Sequence, residues 1–143
     1  MTIAVDFDGT IVTHAYPAIG KELPGAIATL NRLQQEGHRL ILWTVREGEL
    51  LDQAVDFCRA RGLEFFSVNA NYTGESSDAA TACRKVTADI YIDDRNIGGF
   101  PGWEAIYAMV HNRMSFQHYL NNLSETKVRR RNFLQRLFST PGK

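Results

Sequence analysis

Two spacings of apolar residues alternate along the chain. Short unbroken apolar runs occur at 3–5 (Ile3, Ala4, Val5), at 38–43 around Leu40, Ile41 and Leu42, at 63–68, and at 88–92 around Ile90 and Ile92. Runs of this length bounded by polar or turn residues predict strands buried on both faces. Between them the apolar positions recur every three or four residues, which predicts helices with one inward stripe. The first helix opens near Pro24, carries Ile27, Leu30 and Leu33 on one face, and stops at Gly37. The second covers 47–61, with Leu51, Ala54, Val55 and Cys58 inward and Gly62 just past its end. The third covers 103–111, with Ile106, Met109 and Val110 apolar. Residues 11–22, 69–77 and 98–102 predict loops from their Pro, Gly and polar content, and 78–85 predicts a short helical turn.

Strands that alternate with helices build right-handed crossover units. The predicted fold is therefore α/β: a doubly wound, mainly parallel sheet flanked by helices. A chain of 143 residues with 44% hydrophobic content is enough for one packed domain. The composition shifts only at the end, so the expected division is a core over 1–123 and a basic helix or tail over 124–143.

Overall charge is zero and selects no partner, but its distribution is uneven. Residues 124–143 hold Lys127, Arg129, Arg130, Arg131, Arg136 and Lys143 against Glu125, a local excess of five positive charges. Such a segment suits nucleic acid, an acidic surface or a homo-oligomer contact, and equally a solvated helix end. Aromatic platforms for bases are sparse there, which weighs against nucleic acid. Cys58 and Cys83 form neither a disulfide framework nor a metal spacing, and Cys58 reads as a buried thiol. The first residues do not read as a signal peptide, and no apolar run approaches the ~20 residues of a membrane span. No membrane partner and a reducing, cytoplasmic setting are the default expectation.

The chemistry follows from where the polar residues fall. Asp6 and Asp8, Thr44, and Asp93 with Asp94 all stand at or just past the C-terminal ends of predicted strands. In open parallel sheets that edge is where ligands bind. Any one of these residues alone is a common turn residue. Four carboxylates converging on one edge repel one another unless a cation sits among them, and a hard divalent cation takes oxygen ligands. The cluster thus predicts a metal together with an anionic substrate.

These residues also carry a family resemblance. Residues 1 to about 112 resemble the haloacid dehalogenase-like hydrolase superfamily, in that family's order of motifs. The first is Ile3-Ala4-Val5-Asp6-Phe7-Asp8-Gly9-Thr10, the second Thr44, the third Lys85 and the fourth Asp93-Asp94. The resemblance implies a magnesium-dependent phosphohydrolase acting on a phosphomonoester through an aspartyl-phosphate. Asp6 would be the nucleophile and Asp8 the general acid and base. Thr44 would hold a phosphoryl oxygen, with Gly9, Thr10 and Arg46 also at the substrate, and Lys85, in preference to the adjacent Arg84, would neutralise the phosphoryl charge. Magnesium would lie on Asp6, Asp93 and Asp94, with Asp8 contributing its carbonyl. The acid at position 8 separates this pattern from the dehalogenase branch. Neither gap between motifs is long enough for a folded cap, so the resemblance is to capless members with open sites.

The expected substrate is a small phosphorylated metabolite or nucleotide. The alternative is a nucleic-acid end or a phosphoprotein, which an open site and a basic tail would suit. A more remote alternative is a non-enzymatic phosphoacceptor receiver domain. Its acidic pair lies on the first strand, whereas the adjacent pair here follows the last. His14 reads as a solvated loop residue, and Phe100 and Trp103 as packing at a helix start.

Overall fold

The computed structural model describes residues 1–75 and 85–138, with 132–138 described by backbone alone. The elements are β1 (Thr2–Val5), α1 (Ala26–Gln35), β2 (Arg39–Leu42), α2 (Gly48–Arg59), β3 (Ser67–Val68), β4 (Ile90–Ile92), α3 (Trp103–His111) and α4 (Phe116–Phe138). The strands form one parallel sheet in the order β3-β2-β1-β4. The chain steps outward from β1 through β2 to β3, then returns to place β4 on the other side of β1. Strand order therefore reverses between β1 and β4, the doubly wound arrangement that the alternation predicts. Among the described residues no separate cap domain is present.

The sheet is held by its apolar strands. Ile3, Ala4, Val5, Leu40, Ile41 and Leu42 are all essentially without solvent exposure. The β1 and β2 register pairs Ile3 with Leu40 and Val5 with Leu42, so the two strands end level. The helix stripe of α1 is buried as predicted at Ile27, Leu30 and Leu33. Its end is closed by Gly37, at φ 85°, whose N–H donates to the Gln34 carbonyl while His38 N–H reaches the Leu33 carbonyl. That pairing satisfies the last helical carbonyls and needs a residue at ease with positive φ. On α2 only Ala54 and Cys58 are buried, and Leu51 and Val55 are half-exposed.

The structure departs from the predicted elements in three places. The third strand shrinks from 63–68 to Ser67–Val68. It is an edge strand with one neighbour, and the Glu64 carbonyl is taken by the Gln34 side chain instead of the ladder. The fourth strand starts at Ile90 because the Ala88 N–H is bound by the Tyr91 hydroxyl at 3.3 Å. The division into core and tail also moves. The chain forms two compact units, Met1–Glu104 and one beginning at Ala105, whereas 123/124 falls inside the continuous α4. The predicted helical turn at 78–85 lies, apart from Lys85, outside the described residues.

The loop after β1 is more ordered than a plain connection. Thr13 N–H donates to the Lys21 carbonyl at 2.8 Å, and Lys21 N–H to the Thr13 hydroxyl at 3.0 Å, closing the segment between them. No helix among the described residues is long and apolar enough to cross a membrane.

Candidate active site

Asp6 extends β1 by one ladder bond, its N–H donating to the Ile92 carbonyl at 3.0 Å. The next strand over, β4, runs out into Asp93 and Asp94. Carboxylate oxygens of Asp6, Asp93 and Asp94 lie within 4.8 Å of one another at the switch point of the sheet. At that spacing each like-charged pair costs about 3 kcal/mol or more with an effective dielectric constant near 20. Burial, followed by the charges of Asp93 and Asp94, pushes the Asp6 carboxyl up from its ordinary 3.8 to about 6, against the hydrogen bonds it accepts from Phe7 N–H and Thr10.

Thr10 ties the two strand ends together. Its hydroxyl donates to Asp6 Oδ2 at 3.3 Å and accepts the Asp94 N–H at 3.0 Å. Its carbonyl accepts the Trp103 indole N–H at 2.9 Å. Thr10 is fully buried, and the Gly9 N–H is used on the Val12 carbonyl at 2.7 Å. Both were expected at the substrate; in the structure Thr10 links the strand ends that carry Asp6 and Asp94, and Gly9 bonds Val12. Gly9 is at φ 92°, and a Cβ there would overlap the Asp94 carboxylate and come within 2.6 Å of His14 Nε2. Only glycine lets the chain pass so close to Asp94.

His14 reaches back to Asp94, its Nε2 3.0 Å from Oδ2. The imidazole is half-exposed, as a loop histidine should be, yet it is a partner of the acidic cluster. The other Asp94 oxygen, Oδ1, is buried and lacks a hydrogen-bond partner among the described residues. A buried carboxylate oxygen left unpaired costs stability unless something binds it. Three carboxylates whose oxygens lie within 4.8 Å of one another could hold a metal ion that takes oxygen ligands.

Asp8 stands apart from this cluster. Its carboxylate is gripped by Arg46 in a two-pronged pair, Nε to Oδ2 at 2.6 Å and Nη2 to Oδ1 at 2.7 Å. Arg46 has no solvent exposure. Its remaining bonds go to the carbonyls of Pro17 at 3.0 Å and Ala18 at 2.8 Å. Its guanidinium carbon lies 5.1 Å from the Phe7 ring and 5.3 Å from the Tyr16 ring. The Asp8 partner holds the Arg46 pKa above its ordinary value. One expectation changes: Arg46, expected at a substrate anion, is buried with its guanidinium on Asp8 and the loop carbonyls. The expected Asp8 contribution to a metal was its carbonyl, and its carboxylate is the one held by Arg46. A buried arginine beside a buried acid is satisfied by that acid, and removing either partner typically costs about 3–5 kcal/mol.

Thr44 stands just past β2, beside β1. Its N–H donates to Asn69 Oδ1 at 2.8 Å and its hydroxyl accepts Arg46 N–H at 3.3 Å. Asn69, at φ 49° just past β3, was not anticipated as a partner. Lys85 is exposed, and its Nζ lies 4.6 Å from the centre of the Tyr91 ring. Arg84 falls outside the described residues. Trp103 is buried and packs edge-on against Phe100, the helix-start packing expected of both.

The fold and this edge define an α/β protein of the doubly wound parallel type with an acidic cluster at its switch point. No protein-family profile matches the chain, and no curated protein matches it. A solved structure does: the conserved protein coded by a locus of Bacteroides thetaiotaomicron. It shares 59% identity and a TM-score of 0.77, with 82% of this chain and 94% of that one covered. The chain belongs to that protein's family.

Proposed function

We propose that this chain is a magnesium-dependent phosphomonoester hydrolase with Asp6 as nucleophile, of the capless haloacid dehalogenase-like type. The observation that carries the reading is the meeting of Asp6, Asp93 and Asp94 at the switch point, with Asp94 Oδ1 buried and unpaired. Asp6, Asp93 and Asp94 would hold Mg2+, which supplies charge neutralisation to an incoming phosphoryl group.

A freed Asp6 oxygen attacks phosphorus as the bond to the ester oxygen breaks, leaving phosphate on Asp6. Asp8, once one of its oxygens leaves the Arg46 fork and carries a proton, passes that proton to the departing oxygen. It then takes a proton from the water that attacks the aspartyl-phosphate, which releases inorganic phosphate and restores Asp6. Thr44 donates its hydroxyl proton to a phosphoryl oxygen, since Arg46 N–H already uses its acceptor side. Thr10 keeps Asp6 aimed by its bond to Oδ2. Lys85, whose Nζ lies 4.6 Å from the centre of the Tyr91 ring, would offset the phosphoryl charge.

The substrate class favoured is a small phosphorylated metabolite or nucleotide, in a reducing cytoplasmic setting. The alternative, a nucleic-acid end or phosphoprotein, draws on the exposed Lys127, Arg129, Arg130 and Arg131 of α4. The test is phosphate release from p-nitrophenyl phosphate and a metabolite panel with Mg2+, with Asp6→Asn as the blank. Release by the wild type alone supports the reading. A folded, metal-binding wild type that releases no phosphate overturns it. Selective loss on polymer substrates in Arg129→Gln and Arg130→Gln would favour the alternative.

A further inference from the structure

Arg46 is spent on two pieces of chain at once. It carries two bonds to Asp8, one each to the Pro17 and Ala18 carbonyls, and its guanidinium carbon lies 5.1 Å from the Phe7 ring and 5.3 Å from the Tyr16 ring. A fully buried guanidinium whose bonds reach both an acid at a strand end and the backbone of a loop is more than a charge partner. Its planar fork fixes the direction of both oxygens of Asp8, and its other edge fixes the loop. The loop carbonyls in turn hold the guanidinium in place, because each would be left unsatisfied if it turned away.

We propose that Arg46 is a positioning residue that braces Asp8 against the Pro17–Ala18 backbone, so that the acid and the Tyr16 loop keep or lose their places together. This rests on the phosphatase reading for its consequence in catalysis, but the brace itself does not. Asp8 is needed in the step that expels the ester oxygen when that oxygen requires a proton. An aryl ester such as p-nitrophenyl phosphate expels a stable anion and needs little help. An alkyl phosphate needs a proton at once. Loss of the brace must therefore fall on alkyl substrates.

The experiment uses the full chain as Arg46→Lys, Arg46→Met, Arg46→Ala and Asp8→Asn, each checked for a cooperative melt. The kcat/KM, which ends at leaving-group release, is compared for p-nitrophenyl phosphate and an alkyl phosphate. Amide exchange is followed at Thr13 and Lys21, the bonded amides that close the loop, with the buried amides of β1 as the internal control. The Arg46 variants are expected to lose about 10- to 100-fold more on the alkyl ester than on the aryl ester, at or below the lower end of general-acid contributions because Asp8 itself remains. Lysine should rescue poorly because it lacks the fork, while added guanidinium should restore alkyl activity to Arg46→Ala. Exchange at Thr13 and Lys21 should quicken in Asp8→Asn as well as in the Arg46 variants. Equal losses on both esters overturn the proposal, as does loop exchange unchanged in Asp8→Asn. A wild type inert on both esters refutes the phosphatase reading alone, and the exchange comparison then decides the brace without turnover.

Discussion

Replacing Asp6 by Asn should make the metal-free protein more stable while removing metal binding. The carboxyl sits at about 6 instead of 3.8, first through burial and then through Asp93 and Asp94. Ionising it in the folded state at neutral pH therefore costs about 3 kcal/mol. Part of the carboxyl faces solvent, and screening there reduces the net penalty to about 1–2 kcal/mol. The sign follows from proton linkage. Below about pH 4 the group is protonated folded and unfolded, and it contributes nothing. Between about 4 and 6 the folded state keeps the proton that the unfolded state has lost, so stability falls as pH rises through this window. Above about 6 the penalty is complete. An amide in the same place carries no charge and can still accept the Thr10 bond. The melting temperature of Asp6→Asn without metal at pH 7.5 should exceed wild type by about 2–8 °C for a chain of this size. The gap should close as pH is lowered from about 6 to 4. Millimolar Mg2+ should raise the wild type and leave Asp6→Asn unmoved. Thermal melts with EDTA and with Mg2+ across pH 4–8 measure all three. An Asp6→Asn chain less stable than wild type at pH 7.5 in EDTA would refute the argument that these acids strain one another.

Gly9→Ala should displace Asp94 and His14, because its Cβ has no space at φ 92°; a loss of about 1–2 kcal/mol from the backbone alone is expected in denaturant melts, with weakened Mg2+ binding by calorimetry. Trp103→Phe removes the indole donor from the Thr10 carbonyl, and about 1 kcal/mol of stability should go with it in the same melts. Cys58 is fully buried, and burial pushes its thiol up to about 12; peptide mass mapping after alkylation at pH 8 should find it modified only once the chain is unfolded.

The sequence by itself determined the alternation of strands and helices and the edge on which chemistry would fall. Ile3 to Val5 and Ile90 to Ile92 are apolar runs that must be buried, so Asp6 and Asp93, one residue beyond each, must emerge at a strand end. The helix ends were equally legible, because Gly37 and Gly62 do locally what a helix terminus requires. Edge effects were not: β3 lost most of its predicted length because a second neighbouring strand, not its own residues, would have had to hold it.

The partners of Asp8, Arg46 and His14 were decided only in three dimensions. The level ends of β1 and β2, set by the Thr2 to Arg39 register, let Asp8 and Arg46 meet in the segments that follow the two strands. Their similar distances past those ends were the one hint the chain offered. An arginine two residues after Thr44 looks the same in sequence whether its charge faces a substrate or a buried acid. Which it meets depends on strand order, on the path of the Tyr16 loop, and on the absence of a side chain at Gly9 that lets His14 close on Asp94. Local pattern specifies which residues reach the edge, because burial of neighbouring apolar residues acts over a few positions. Packing between segments far apart in the chain specifies which of those residues touch.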